Sequence, residues 1–260
     1  MQLQDQLQRK IDLNKTPQRI ISLVPSQTEL LVDLGLKEQL VGITKFCVHP
    51  KGLTNEKEIV GGTKEVKIET VKALNPDIIL CNKEENTRLM VKELEKITPV
   101  HVSDINNLEE AYALMQDYGK IFRKEKEAKT LIKAIRTEQE NFLQNIAHKP
   151  IKRVAYFIWR KPWMVVGGNT FINYLLELNK LENVYQDIDR YPAIKLEELR
   201  EVDYVLLSSE PFPFNEKYIP EFEPYLNTEK IKFVDGEYFS WYGSRLKKAF
   251  SYFLKLHQNL

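Results

Sequence analysis

The chain has 260 residues, 43% of them hydrophobic and 29% charged, and its net charge is +1. Acids and bases are interleaved throughout, so no basic stripe exists to release counterions from a nucleic-acid backbone. No apolar run approaches the roughly 20 residues that a membrane-spanning helix needs.

Met1 to Arg19 is polar, with neither an apolar signal core nor a lipid-attachment Cys, and reads as a chain without an export signal. Ile20 to Val24 is β-branched or apolar and stops at Pro25, which predicts a buried strand and then a loop. Ser26, with Glu29 three residues on and Leu30, Leu31 and Leu34 behind it, has the spacing of a capping box, and Gly35 ends that helix. Val41 to Thr44 is a second strand, and Ile78 to Leu80, after Asn75, Pro76 and Asp77, a third. Strands alternating with helices imply a mainly parallel sheet. Cys47 and Cys81 stand far from any CxxC or Cys/His ligand spacing and are expected to be two buried free thiols.

From Ile105 to Lys149 there is no proline, and apolar residues recur at helical steps through Ile121, Ala128, Ile132, Ile135, Phe142 and Ile146. A single helix over 120–147 would be about 40 Å long at 1.5 Å per residue. Pro150 closes it, and Val154 to Trp159 opens a second sheet. Gly167, Gly168 and Asn169 then precede Thr170, a plausible N-cap; the glycines are either an anion cradle or a turn pair. Val205 to Leu207 and Lys232 to Val234 are further strands, separated by irregular chain around SSEPFPF, and a helix follows from Ser244. Both halves thus carry a strand, a Gly- or Ser-marked turn, an amphipathic helix and an Asp opening another apolar run. The fold class read from this is α/β: two lobes with mainly parallel sheets joined by one long interlobe helix. Residues 1–118 form the first lobe, 119–149 the linker helix and 150–260 the second lobe, with the cleft as the expected ligand site.

The stretch RIISLVPSQTELLVDLGLKEQLVGIT resembles the opening of the periplasmic binding proteins that deliver cobalamin and ferric siderophores to ABC importers, and IETVKALNPDIIL resembles their next signature. The likeness runs from about Asp5 to the C-terminus and is closest to the cobalamin-binding branch. It implies a solute-binding protein with no catalytic residue, no resident metal and no cofactor. The ligand would be a cobalt corrinoid or a ferric siderophore, with corrinoid favoured. It also implies a monomer that docks on a membrane permease through one exposed Glu per lobe, matched by Glu69 in KIETV and by Glu197 in KLEEL, where Glu198 is adjacent. A Glu in a first helical turn also serves the helix dipole. The resemblance implies a periplasmic or cell-surface location, whereas the N-terminus as written reads as cytoplasmic.

Such a ligand has apolar faces and polar edges, so aromatic walls with a few convergent polar groups are expected around it. Phe46 and His49 align with the family's ligand-contacting loop. Trp159, Arg160, Trp163, Tyr191, Phe239, Trp241, Tyr242 and Arg245 fall at or beyond strand ends of the second lobe, where crevice ligands of α/β sheets bind. Each has a plainer alternative as boundary packing. Trp241 and Tyr242 precede Gly243 in a polar turn, where two adjacent large rings are not both expected to point inward. Arg245 either meets a carboxylate or phosphate edge of a ligand or caps the sheet. Thr63 and Asn82 stand where close relatives place tryptophans, which suggests a more polar ligand edge; Asn82 to Asn86 faces either the cleft or solvent. The alternative function is a cytoplasmic metal-tetrapyrrole enzyme such as a chelatase. Against it, His49, His101, His148 and His257 are scattered, and Ser208, Ser209 and Glu210 complete no triad.

Overall fold

Both sheets follow from short β-branched runs whose continuous apolarity suits strands buried on two faces. The computed structural model describes residues 1–260, which fold as two units. The first comprises Met1–Ala134 with Tyr242–Arg245, and the second Ile135–Trp241 with Leu246–Leu260.

The first unit opens with an antiparallel pair, β1 (Gln2–Gln4) and β2 (Lys10–Asp12). There follow β3 (Ile20–Ser22), α1 (Pro25–Asp33), β4 (Leu40–Thr44), α2 (Leu53–Glu56), β5 (Glu58–Gly61), α3 (Ile68–Ala73), β6 (Ile78–Asn82), α4 (Arg88–Leu94), β7 (Val100–Ser103) and α5 (Leu108–Phe122). The five strands β5-β4-β3-β6-β7 are all parallel, with Ile21 opposite Gly42 and Ile79. One core layer is built from Ile21, Leu23, Val60, Ile79, Cys81, Val100 and Val102 with Val71 and Leu94. Cys47 and Cys81 are both free and buried, as expected.

Helix α1 corrects one local expectation. Its N-cap is Val24, without a side-chain cap; Pro25 takes the first helical position, where its missing N–H costs nothing. Ser26 lies one residue inside, so no capping box forms, and Glu29 is spent elsewhere. Gly35 ends the helix at φ +77, with Gly35 donating to Val32 and Leu36 to Leu31, the paired bonds of a Schellman motif.

The single long helix expected over 120–147 is two helices. Arg123 adopts the left-handed conformation at φ 55 and closes α5, and α6 runs from Glu125 to Ile146. The corner is tight: a side chain on Gly119 would meet Ala128 at 3.0 Å. Apolar periodicity survives on both sides of so short an interruption, so the pattern alone conceals it. The boundary between the two units falls inside α6, after Ala134.

The second unit contains β8 (Lys152–Trp159), β9 (Trp163–Val165), α7 (Phe171–Leu178), β10 (Leu181–Asn183), β11 (Ala193–Ile194), β12 (Tyr204–Ser208), β13 (Ile231–Val234), α8 (Glu237–Ser240) and α9 (Leu246–Leu256). The order is β11-β9-β8-β12-β13, with β10 alongside the first half of β8; β9 runs antiparallel to both of its neighbours, β8 and β11, and the other pairs are parallel. Thr170 caps α7 by accepting from the Asn173 amide at 3.1 Å. The connection from β12 to β13 has 3-10 turns at Glu216–Glu221 and Thr228–Lys230 in place of an α-helix. Aromatic packing of Phe214 and Phe222 holds it to the sheet.

Candidate functional site

In parallel α/β sheets ligands collect where strands end and helices begin, so the loops at the carboxyl ends of the strands are the places to examine in each unit.

In the first unit the loop after β4 presents Phe46, 48% exposed, with the Lys45 ammonium 5.1 Å from its ring centroid. The ring lies against Gly62 of the neighbouring loop; a side chain there would meet Phe46 at 3.3 Å. His49 is half-buried, and its charge favours the ionised form of Glu29. The segment after β6 is held by two buried asparagines. Asn82 accepts from the amides of Glu84 and Glu85 at 2.8 and 3.2 Å and donates to Ser103 at 3.0 Å. Asn86 accepts from the Asn82 amide at 2.8 Å and donates to the Thr63 carbonyl at 2.7 Å. Asn82 therefore forms the loop from inside and does not offer the exposed ligand contact expected of it.

The return segment Tyr242–Arg245 corrects more expectations. Trp241 and Tyr242 are 7% and 5% exposed, so both rings do point inward. They manage it because each enters a different unit. Tyr242 belongs to the first, where its hydroxyl accepts from Gln27 Nε2 at 3.2 Å. Gln27 also donates to Ser103 at 2.6 Å and accepts from Tyr118 at 2.6 Å. Gly243 is pressed on α1, where a side chain would lie 2.6 Å from the Ser26 carbonyl. Arg245 makes a two-point pair with Glu29 at 2.8 and 2.9 Å, side chains 9% and 15% exposed. Its carboxylate partner thus lies within the chain. Burial pushes the Glu29 carboxyl above its ordinary value, opposed by Arg245.

In the second unit Trp159, at the end of β8, is 39% exposed and meets Phe212 edge-on at 5.7 Å. Arg160 is bound to Glu221 at 2.8 Å and lies over the rings of Trp163 and Tyr218, with Lys217 on Tyr218 at 4.9 Å. Trp163 stacks on Phe214 at 5.9 Å and faces the core. Tyr191 is half-buried beneath Arg190 at 5.8 Å. Phe239 is fully buried against Tyr156, Tyr252 and Phe253, so the expectation that it meets a ligand gives way to a core role. Trp241 likewise is interior, its indole N–H donating to Glu210 at 3.0 Å. Glu210 also accepts from Ser240; burial and the nearby Glu237 and Asp235 carboxylates raise it.

The glycines of GGN form a turn and no anion cradle. Both amides are used, Gly167 donating to Arg190 and Gly168 to Ile188, and side chains there would lie 2.1 and 2.4 Å from backbone oxygens. Glu69, in the first turn of α3, is exposed and paired with Lys72 at 2.8 Å. Glu197 is exposed on a 3-10 turn and accepts from Tyr225 at 2.8 Å, whereas Glu198 pairs with Lys195 at 3.8 Å.

These two sheets with their loop-borne aromatics define a periplasmic-binding-protein fold, and the sequence profile described as Periplasmic binding protein matches residues 20–219. The chain belongs to that family. It is 28% identical over 199 residues to a vitamin B12-binding protein of Vibrio parahaemolyticus, covering 70% of each chain. To an uncharacterized ABC transporter substrate-binding lipoprotein of Bacillus subtilis it is 26% identical over 193 residues, 71% of this chain and 61% of that protein. Among solved structures, the periplasmic vitamin B12-binding protein of Vibrio cholerae superposes with a TM-score of 0.80 at 18% identity, covering 94% of this chain and 99% of that one. That likeness shows the fold.

Proposed function

We propose that this chain is the solute-binding component of an ABC importer, that it works outside the cytoplasmic membrane, and that it captures a metal chelate of the corrinoid, haem or ferric-siderophore kind. Family membership over residues 20–219 carries the reading; the family comprises binding proteins. The relatives' descriptions as vitamin B12-binding and as a substrate-binding lipoprotein support the ligand kind and the location. Taken unit by unit, the side chains at least partly exposed at strand-end loops and suited to contact a ligand are Phe46 and His49 in the first and Trp159 and Tyr191 in the second. Titration of the purified protein with cobalamin, cobinamide, haemin and a ferric-siderophore panel tests this. At least one is expected to bind at low micromolar concentration or tighter, and no binding below high micromolar for any would refute it.

Permease docking through Glu69 and Glu197 belongs to the same proposal, Glu197 being preferred to Glu198 because Tyr225 fixes its carboxylate. Reversing both to Lys is expected to abolish ligand uptake by cells while leaving affinity in solution unchanged. Uptake at the parental rate would count against docking there.

A further inference from the structure

The outer edge of a sheet is a row of unpaired donors and acceptors that another chain can pair with, and β7 is the last strand of the first sheet, hydrogen-bonded to β6 alone. Its Ser103 carbonyl and the preceding Pro99 carbonyl accept from Lys83 and Ile79 on the β6 side. The odd-numbered residues therefore face β6, and Val100, Val102 and the following Asp104 turn their N–H and C=O groups to the outer edge. Three side chains, in place of a strand, cover that edge. Asp5 Oδ2 accepts from the Val102 amide at 3.1 Å, Arg9 donates to the Val100 carbonyl at 2.8 Å, and Gln6 Oε1 accepts from the Asp104 amide at 3.1 Å. Asp5 is buried and accepts from the Arg9 guanidinium at 2.6 and 2.8 Å, so the two act as one clasp. Gln6 is tied down by donating to the Glu110 carbonyl at 2.9 Å.

All three side chains come from the turn between β1 and β2. Of the six residues in those two strands only Ile11 is buried, which is little apolar area to keep a two-stranded ribbon in place. The polar clasp thus contributes much of the hold, and its loss uncovers the edge. The uncovered groups are complementary to themselves. In an antiparallel pair about a two-fold axis at Val102, each Val102 N–H meets the Val102 C=O of a second copy, and each Asp104 N–H meets the Val100 C=O. The three groups now bound by Asp5, Arg9 and Gln6 are all satisfied in that register.

We infer that the outer edge of β7 is a latent dimerisation surface, that its partner is β7 of a second copy of this chain, and that Asp5, Gln6 and Arg9 form the shutter that keeps the copies apart. Every residue involved belongs to the first unit, and the ligand plays no part.

Sedimentation velocity of the full chain at about 5 and about 200 µM, with hydrogen exchange at both concentrations, tests this. The parent is expected to be monomeric throughout, and the triple variant Asp5→Ala, Gln6→Ala, Arg9→Ala to become dimeric at the higher concentration. In the dilute variant the Val102 and Asp104 amides should exchange at least 10-fold faster than in the parent, and they should slow again in the dimer. The Ile79 and Lys83 amides, bonded to this segment from the other side, should keep their parental rates, which verifies that the sheet is folded. Gln6→Ala alone spares the buried Asp5–Arg9 pair; it is expected to release the Asp104 amide and to dimerise more weakly. If the triple variant does not fold, this single variant decides, and an Asp104 amide that exchanges at the parental rate overturns the inference. A parent dimeric through β7, a folded triple variant still monomeric at about 200 µM, or a dimer in which Val102 and Asp104 exchange as fast as in the monomer also overturns it.

Discussion

Arg245→Ala is expected to destabilise the protein by about 3 kcal/mol, because removing one partner of a buried pair leaves the other charge uncompensated. The pair joins Glu29 on α1 to the return segment Tyr242–Arg245 of the same unit through two hydrogen bonds, with little of either side chain exposed. Replacing both residues with apolar ones of similar volume, Glu29→Met with Arg245→Met, is expected to cost much less, since the desolvation of both charges disappears with them. The pH dependence has a definite sign. Burial raises the folded-state value of Glu29, so the folded protein holds this proton more readily than the unfolded chain, and the group's contribution falls as pH rises through that interval. In Arg245→Ala the opposing charge is gone and the carboxyl moves further up. The stability gap between parent and variant should therefore narrow as pH is lowered and Glu29 becomes neutral. Urea unfolding at pH 7 and pH 5 measures both; a gap that widens in acid would contradict the account.

His101→Phe is expected to protect the protein against acid. His101 on β7 is fully buried, its ring edge-on to Tyr118 at 5.5 Å, and neither ring nitrogen has a hydrogen-bond partner. Burial lowers it from 6.5 to about 4. Between these values the unfolded chain binds the proton and the folded protein does not, so stability is lost as pH falls from 6.5 through 4. At about 1.4 kcal/mol per unit this amounts to about 3 kcal/mol. Phenylalanine keeps the ring contact with Tyr118 and removes the proton site, so the variant should hold that increment at pH 4.5. His257, lowered in the same direction by burial and by Lys149, leaves a smaller acid response in both proteins. Identical acid transitions for parent and variant would exclude His101 as the source.

The architecture was legible wherever structure is local. The β-branched runs at Ile20, Ile78, Val154 and Val205 each became strands within two or three residues of the expected bounds. Thr170 caps α7 and Gly35 stops α1 because both devices act over a few residues of chain. What stayed hidden depends on contacts distant in sequence. Ser26 and Glu29 have capping-box spacing, yet Glu29 turns to an arginine 216 positions away. Trp241 and Tyr242 sit in a polar turn, and their burial follows only from the chain passing from one unit to the other between them. Asn82 reads as a surface loop residue because its value lies in bonds to three backbone and side-chain partners that no spacing announces. The break at Arg123 escaped because helical periodicity resumes after it.

The placement of Tyr242–Arg245 within the first unit bears on the order in which the protein is made. The Gln27 network and the Glu29 ion pair cannot close until residues 242–245 exist, although the rest of that unit ends at Ala134. At about 5–20 residues per second of synthesis, roughly 110 further residues mean a wait on the order of 10 s. Throughout that time the amino-terminal half is a nascent chain in which Gln27 lacks Tyr242 and Glu29 lacks Arg245, and its final closure is set by translation of the carboxyl end.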